Sequence, residues 1–419
     1  MHGLKVMGFV ILRPIFVTGF MRKRFHMDKK DFFLSSFFEY ENQPCVCKKE
    51  TVYSVPGEDP HYNVKVCATN GDAIKFSYMA QKGLNHSGNA GGIISENILG
   101  QLLAIPIDDL DATLAFFEKY GFLFPISDAE YESVDDHALL EIVNRIKATV
   151  KLMGTIAGKR DYKNMMILTT YLLYGDVVEI NLSSQTYSSC RHPFRDLLES
   201  YYDLPDTSRN QEIFDTGYYT VTDTLCPDGN KIARDDLISM AMGDGIWNVV
   251  GSKEEHFKHL FALYTNYKGA DEELRTIIDF YYHYQKEVGV FSGVAVNRLA
   301  YHGTPQRENF TDTLKEALLK VAKIVITEEL NAHLQYISPR FDSATLSPSW
   351  KLQNFLSALY FSIFYMKPGI ELYKECENPN CKNQKYFLIN ATVTNKKYCC
   401  TACANAAAQR RARARKMNK

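Results

Sequence analysis

A chain of 419 residues with 46% apolar and 23% charged side chains can build two or three packed domains, and its composition excludes a low-complexity or fibrous polymer. The formal net charge of −1 hides an asymmetry: residues 374–419 carry 11 basic and 2 acidic side chains, which leaves 37 basic and 47 acidic ones before them. Five of the 10 cysteines fall within 28 residues near the end, a distribution unlike the disulfide framework of a small secreted protein.

Val6–Leu12 and Ile15–Phe20 are apolar, but Arg13-Pro14 separates them and Arg22-Lys23-Arg24 follows. A membrane-spanning helix needs about 20 uninterrupted apolar residues, and a secretory signal puts its basic residues first. Residues 1–26 therefore read as a non-native or disordered extension ahead of a start-like Met27 in MDKKDFFL. With no other long apolar run, the expectation is a cytoplasmic protein with no membrane partner.

Residues 27–107 read as a small β-containing region. Thr51–Val55, Val64–Val66 and Ile74–Phe76 are strand-like, with Pro56-Gly57 and Asn70-Gly71 as turns. Cys45, Cys47 and Cys67 lack metal-ligand spacing and read as ordinary thiols. Gly83–Gly92 holds four glycines without the Lys-Ser/Thr ending of a phosphate loop, so it reads as a linker.

Residues 108–370 read as a helical body. A helix begins at Asp109, buries Leu114, Phe117 and Tyr120, and stops at Gly121. Ala138–Gly154, Met165–Tyr174 and His256–Tyr267 share that periodicity, whereas Asn181–Asp206 is polar and irregular, and Pro227-Asp228-Gly229 is a turn. The clearest helix is Asp312–Ile337, with Leu314, Leu318, Val321, Val325, Ile326 and Leu330 as its apolar stripe. His256 and His259 match no helical metal motif, and His333 reads as a satisfied interior histidine. No nucleophile elbow or kinase signature is present, so no catalytic residue is nominated.

Residues 371–419 carry the strongest signal. Four residues separate Cys376 from Cys381 and three separate Cys399 from Cys403, with a 17-residue span between the pairs. Paired thiolates at such spacing suit one structural Zn²⁺. Cys400 competes with Cys399 for the fourth place. Asn378-Pro379-Asn380 turns the first pair, and Tyr386–Ile389 with Asn395 suits two short strands between the pairs. From Thr401, read as the N-cap, an Ala- and Arg-rich helix runs to the end. It brings Arg410, Arg411, Arg413, Arg415 and Lys416, preceded by Lys396 and Lys397.

On Cys376, Cys381, Phe387, Tyr398-Cys399, Cys403 and Asn405, this tail resembles the CGNR zinc finger, found in bacteria behind an ABATE-type helical domain. Cys403-Ala404-Asn405-Ala406 stands where Cys-Gly-Asn-Arg is expected, so the ligands and Asn405 match while the Gly and Arg do not. The resemblance covers the last quarter of the chain and implies zinc binding and a DNA-binding transcription regulator.

The fold class expected is mainly α with a small N-terminal β-containing part (α+β), closed by a four-cysteine zinc finger made of a hairpin followed by a helix. The functional expectation is a DNA-binding regulator. Its contacts would come from Lys396, Lys397, Asn405, Arg410, Arg411, Arg413, Arg415 and Lys416, and a small-molecule or protein effector would act on the helical body. The rivals are a protein–protein interaction module whose zinc is architectural, and an enzyme that uses the finger as a docking arm.

Overall fold

The computed structural model describes residues 38–52, 60–79, 82–87, 93–157, 160–201, 203–242, 252–343, 346–366, 371–381, 385–390 and 395–417. The expectations for residues 1–26 and for Tyr53–Val55 lie outside these. Residues 36–419 form one compact unit. The fold is mixed α+β, and its strands are not confined to the N-terminal region: small hairpins recur between the helices along the chain.

Two antiparallel sheets come first. β1 (Phe38–Asn42), β4 (Ile74–Met79), β5 (Gly83–Ser87) and β6 (Ile93–Asn97) make a four-stranded sheet in that order. β2 (Cys45–Thr51), β3 (Tyr62–Ala68) and β7 (Glu132–Asp135) make a three-stranded one. The glycine-rich segment read as a linker thus contributes β5, which pairs with β4 on one side and β6 on the other. Val64 and Val66 are fully buried while their neighbours along β3 are half-exposed, the period of a sheet with one face in the core.

α1 (Ile98–Ala104) and α2 (Leu110–Tyr120) follow the first sheet. Asp109 caps α2 by accepting from the Ala112 amide at 2.9 Å, and Gly121 ends it at φ 83°, a conformation that disfavours side chains. The Asn42 amide donates to the carbonyls of Tyr120 and Phe122, both at 3.0 Å, and so ties the helix end to β1.

The helical layer contains α3 (Asp136–Ala157), α4 (Tyr162–Tyr174), α8 (Ser252–Asn266), α9 (Glu272–Glu287), α10 (Asp312–Leu334) and α11 (Phe355–Phe364); the short α6 (Gln211–Thr216) and α7 (Arg234–Met242) precede α8, and β12 (Phe291–Ala295) pairs with β13 (Arg298–Tyr301) between α9 and α10. Side chains of Asp161, Asp271, Thr311 and Asn354 accept from first-turn amides of α4, α9, α10 and α11. Between α4 and α8 the chain is more ordered than its polarity suggests. β8 (Glu179–Asn181) pairs with β9 (Thr186–Ser188), and α5 (Pro193–Ser200) follows, its face carried by Phe194 and Leu198. The expected turn at Pro227-Asp228-Gly229 joins β10 (Tyr218–Val221) to β11 (Asn230–Ala233).

Along α10, Leu314, Leu318, Val321 and Val325 are buried as expected, each side chain stabilising the fold by about 1.5–3 kcal/mol. The next positions on the buried stripe are Glu329 and His333, both inside, while Leu330 is only half-buried. The helix ends at Leu334. Ile337 and Pro339 belong to β14 (Ile337–Asp342), paired with β15 (Ser347–Leu352).

Candidate metal centre

The tail is built on β16 (Glu371–Glu375), β17 (Tyr386–Asn390) and α12 (Thr401–Met417). The hairpin differs from the one expected: its first strand precedes Cys376 and pairs with Tyr386–Asn390, so Cys376–Cys381 forms the connecting turn rather than one end of the hairpin. Alternation along β17 divides its side chains. Phe387 and Ile389 pack with the cysteines in a small satellite core, while Tyr386 and Leu388 pack with the main core. Tyr373 on β16 donates to Asn97 Oδ1 at 2.8 Å. A Cβ at Gly100 would stand 2.5 Å from the Tyr386 carbonyl, so the α1–β17 approach needs that glycine. The tail is docked on the body rather than tethered to it.

Cys376, Cys381, Cys399 and Cys403 place their sulfurs within 4.8 Å of one another. The Cys381–Cys399, Cys399–Cys403 and Cys403–Cys381 separations are each 3.6 Å. A tetrahedral ion with Zn–S bonds of about 2.3 Å demands sulfur separations of about 3.8 Å. Three of the four sulfurs are thus already near tetrahedral spacing, and Cys376 lies within reach as the fourth donor to a single ion. Cys400 stands beside this set, 3.7 Å from Cys399. Although burial raises the Cys376 thiol, hydrogen bonds from the backbone at Cys399 and Asn378 bring it below its ordinary value. Thr401 lies inside α12: the Ala404 amide donates to the Cys400 carbonyl at 3.1 Å, which makes Cys400 the capping position.

The basic residues separate into distinct environments. Arg410 is half-buried and donates to Asn378 Oδ1 at 2.5 Å. Asn378 also donates to Cys403 Sγ at 3.2 Å, so it links the first turn, a ligand and the helix. Its sequence reading as a turn former missed that role; an Asn between two ligands, able both to accept and to donate, was the available signal. Lys397 pairs with Glu377 at 3.3 Å, and Lys396 lies over the Phe387 ring at 5.2 Å. Asn405, Arg411, Arg413 and Arg415 are exposed, and among the described residues no acidic side chain pairs with these arginines. Arg411 and Arg415, four apart, share one helix face. The side chain of Lys416 lies outside the described residues.

A second polar cluster, which the sequence did not nominate, sits under α10. Arg145 on α3 pairs with Glu329 and also donates to the Leu172 carbonyl at 3.1 Å and the Cys190 carbonyl at 3.3 Å. His192 stands between Glu328 (Nδ1, 2.6 Å) and Glu329 (Nε2, 3.2 Å). Burial works against charge on the ring, but hydrogen bonds to Cys190, Glu328 and Glu329 hold it well above the ordinary histidine range. Burial likewise penalises the Glu329 carboxylate, yet Arg145 and His192 bring it down to about 2. His333 stacks on Tyr360 at 3.6 Å between ring centres. Its Nδ1 faces the Glu329 carbonyl at 2.7 Å and its Nε2 the Tyr187 hydroxyl at 2.9 Å, so it is satisfied, as expected.

A third network joins Asp223 to His283 (2.5 Å) and to the Tyr264 hydroxyl (2.5 Å). His259 on α8 joins no metal-capable group among the described residues, and the side chain of His256 lies outside them. No helix among the described residues is long and apolar enough to cross a membrane. Comparison with protein-family models, curated proteins and solved structures finds no match for this chain.

Proposed function

We propose that the C-terminal tail is a zinc-stabilised nucleic-acid-binding module and that the protein is a DNA-binding regulator. Cys376, Cys381, Cys399 and Cys403 would hold the ion, which supplies structural cross-linking to a core too small to fold on its own. The observation that carries the reading is α12 itself, a helix leaving a four-thiol cluster with Arg411, Arg413 and Arg415 exposed. Phosphates are the complementary partner for such a stripe, and the acidic remainder of the chain limits non-specific spread along the polyanion. Arg410 and Lys397 serve the module's own packing, so contact falls to Arg411, Arg413 and Arg415, with Lys396 and Asn405 beside them. The resemblance to CGNR fingers agrees with this assignment.

The test is binding of labelled duplex DNA and single-stranded RNA across a salt series, comparing the full chain with its Arg411→Ala, Arg413→Ala, Arg415→Ala variant. The expected result is duplex binding whose log affinity falls with log salt by about 0.9 per phosphate contact, and a shallower slope in the variant. No binding to either nucleic acid at low salt would refute it. A protein-partner reading is the second, because Phe341, Leu346 and Phe364 are 66%, 75% and 51% exposed around the β14–β15 hairpin and the end of α11.

A further inference from the structure

We propose that Cys190, His192 and Glu329 form a second metal centre, for a divalent transition ion of zinc-like softness, with one coordination position open to an adjacent cavity. This does not rest on the reading of the tail.

The three donors come from the extended segment between β9 and α5 and from α10. Their ligand atoms lie within 4.8 Å of one another, and the residues are 7%, 2% and 0% exposed. Thiolate, imidazole and carboxylate together suit Zn²⁺ and its neighbours in the first transition row better than Mg²⁺ or Ca²⁺. Glu328 holds His192 Nδ1 at 2.6 Å, which turns Nε2 toward Glu329 and the ion position. A carboxylate behind a metal-binding imidazole is the usual means of fixing its tautomer and raising its basicity.

Glu329 supplies an independent sign. Arg145 and His192 both engage Oε1, while Oε2, fully buried, has no hydrogen-bond partner among the described residues. A buried carboxylate oxygen left alone is costly, and a cation satisfies it.

A cavity of about 410 Å³ adjoins the cluster on its Cys190 side, lined in part by Cys190, Glu328, His333 and Tyr187 but not by His192 or Glu329. Three protein ligands beside a cavity is the arrangement of a catalytic rather than a structural zinc site, with water in the fourth position.

The test is the zinc-to-protein ratio of the full chain after loading with Zn²⁺ and removal of free ion, supported by the Co²⁺ spectrum of Co²⁺-loaded protein. About two equivalents per chain are expected, falling to about one in Cys190→Ser/His192→Gln. The Cys376→Ser/Cys381→Ser variant should retain the Cys190-dependent equivalent, so the two centres succeed or fail separately. Should the first variant not fold, Glu328→Gln keeps all three ligands and is expected to weaken that equivalent about 10–100-fold. A metal content indifferent to Cys190 and His192, or an affinity indifferent to Glu328, overturns the proposal whatever the tail binds.

Discussion

The satellite core around Cys376, Phe387, Ile389 and Cys403 and the charged cluster around Arg145, His192 and Glu329 are held together by opposite means. In the tail, all four thiols come from 28 residues of chain, and a handful of apolar side chains surrounds them. Under α10, the partners lie up to 184 positions apart and are enclosed by the main core. A small core cannot offset the conformational entropy of its own backbone, so it needs a cross-link. A large core can bury charges, provided that every charge is paired. The comparison teaches that ligand-type side chains answer to local chain geometry in the tail, where all four are Cys, and to the whole fold under α10, where Cys, His and Glu meet.

The largest effect should come from unpairing the interior. Arg145→Met leaves Glu329 and its neighbours with an uncompensated charge and is expected to destabilise the body by about 3–5 kcal/mol in urea unfolding. Arg145→Met combined with Glu329→Leu should cost less than the single change, because no charge is stranded; an equal or greater cost would break the account of this cluster as a paired unit. Stripping metal from the tail should act locally instead. Protease cleavage within residues 371–417 is expected to accelerate after chelation, while chelation leaves the urea midpoint of the Cys190→Ser/His192→Gln protein, whose remaining candidate metal site is the tail's, where it stood before. A midpoint that drops with the tail would show that the two cores are one cooperative unit.

The Asp223–His283 pair should respond to pH. Burial raises the Asp223 carboxyl, but His283 and Tyr264 outweigh it and hold the group below its ordinary range. Burial lowers His283, but Asp223 and then Glu287 outweigh it and hold the ring above its ordinary range. The Asp223 contribution is present above about pH 4 and lost as the pH falls; the His283 contribution is present below about pH 6.5 and lost as it rises. The stability difference between wild type and His283→Gln should therefore be greatest between these values and shrink on both sides, as read by urea unfolding at a series of pH values. A difference independent of pH would mean that His283 acts by packing alone. The smallest effect expected is for Asn378→Ala, about 1–2 kcal/mol confined to the tail, since it removes the Arg410 and Cys403 contacts together. Amide exchange in α12 measures it, and unchanged protection would mean that the helix is held by the cysteines alone.

Much of the scaffold was legible from local rules. α2 runs between Asp109 and Gly121 as its cap signals require, and the apolar stripe of α10 begins at Leu314 and continues through Val325. The stripe's continuation through Glu329 and His333 was not read, because an apolar pattern has no symbol for a charged side chain that finds its partner elsewhere. Glycine-rich 83–92 reads as a linker and polar 181–206 as irregular, yet β5 and β9 form because neighbouring strands accept their backbone groups. Pairing of that kind is settled between segments rather than within one.

Ligand spacing, capping and 3.6-residue periodicity act within a few turns of chain, so the cysteine cluster, the basic helix after it and most of the long helices can be read from the residues alone. Contacts between distant segments settle the rest: β16 rather than a segment after Cys376 opens the tail hairpin, Asn378 takes Arg410 out of the exposed stripe, and Cys190, His192, Arg145 and Glu329 meet. Those contacts depend on which faces the folded chain turns toward one another, and hydrogen bonds and charges of that range leave no periodic trace in the residues that make them.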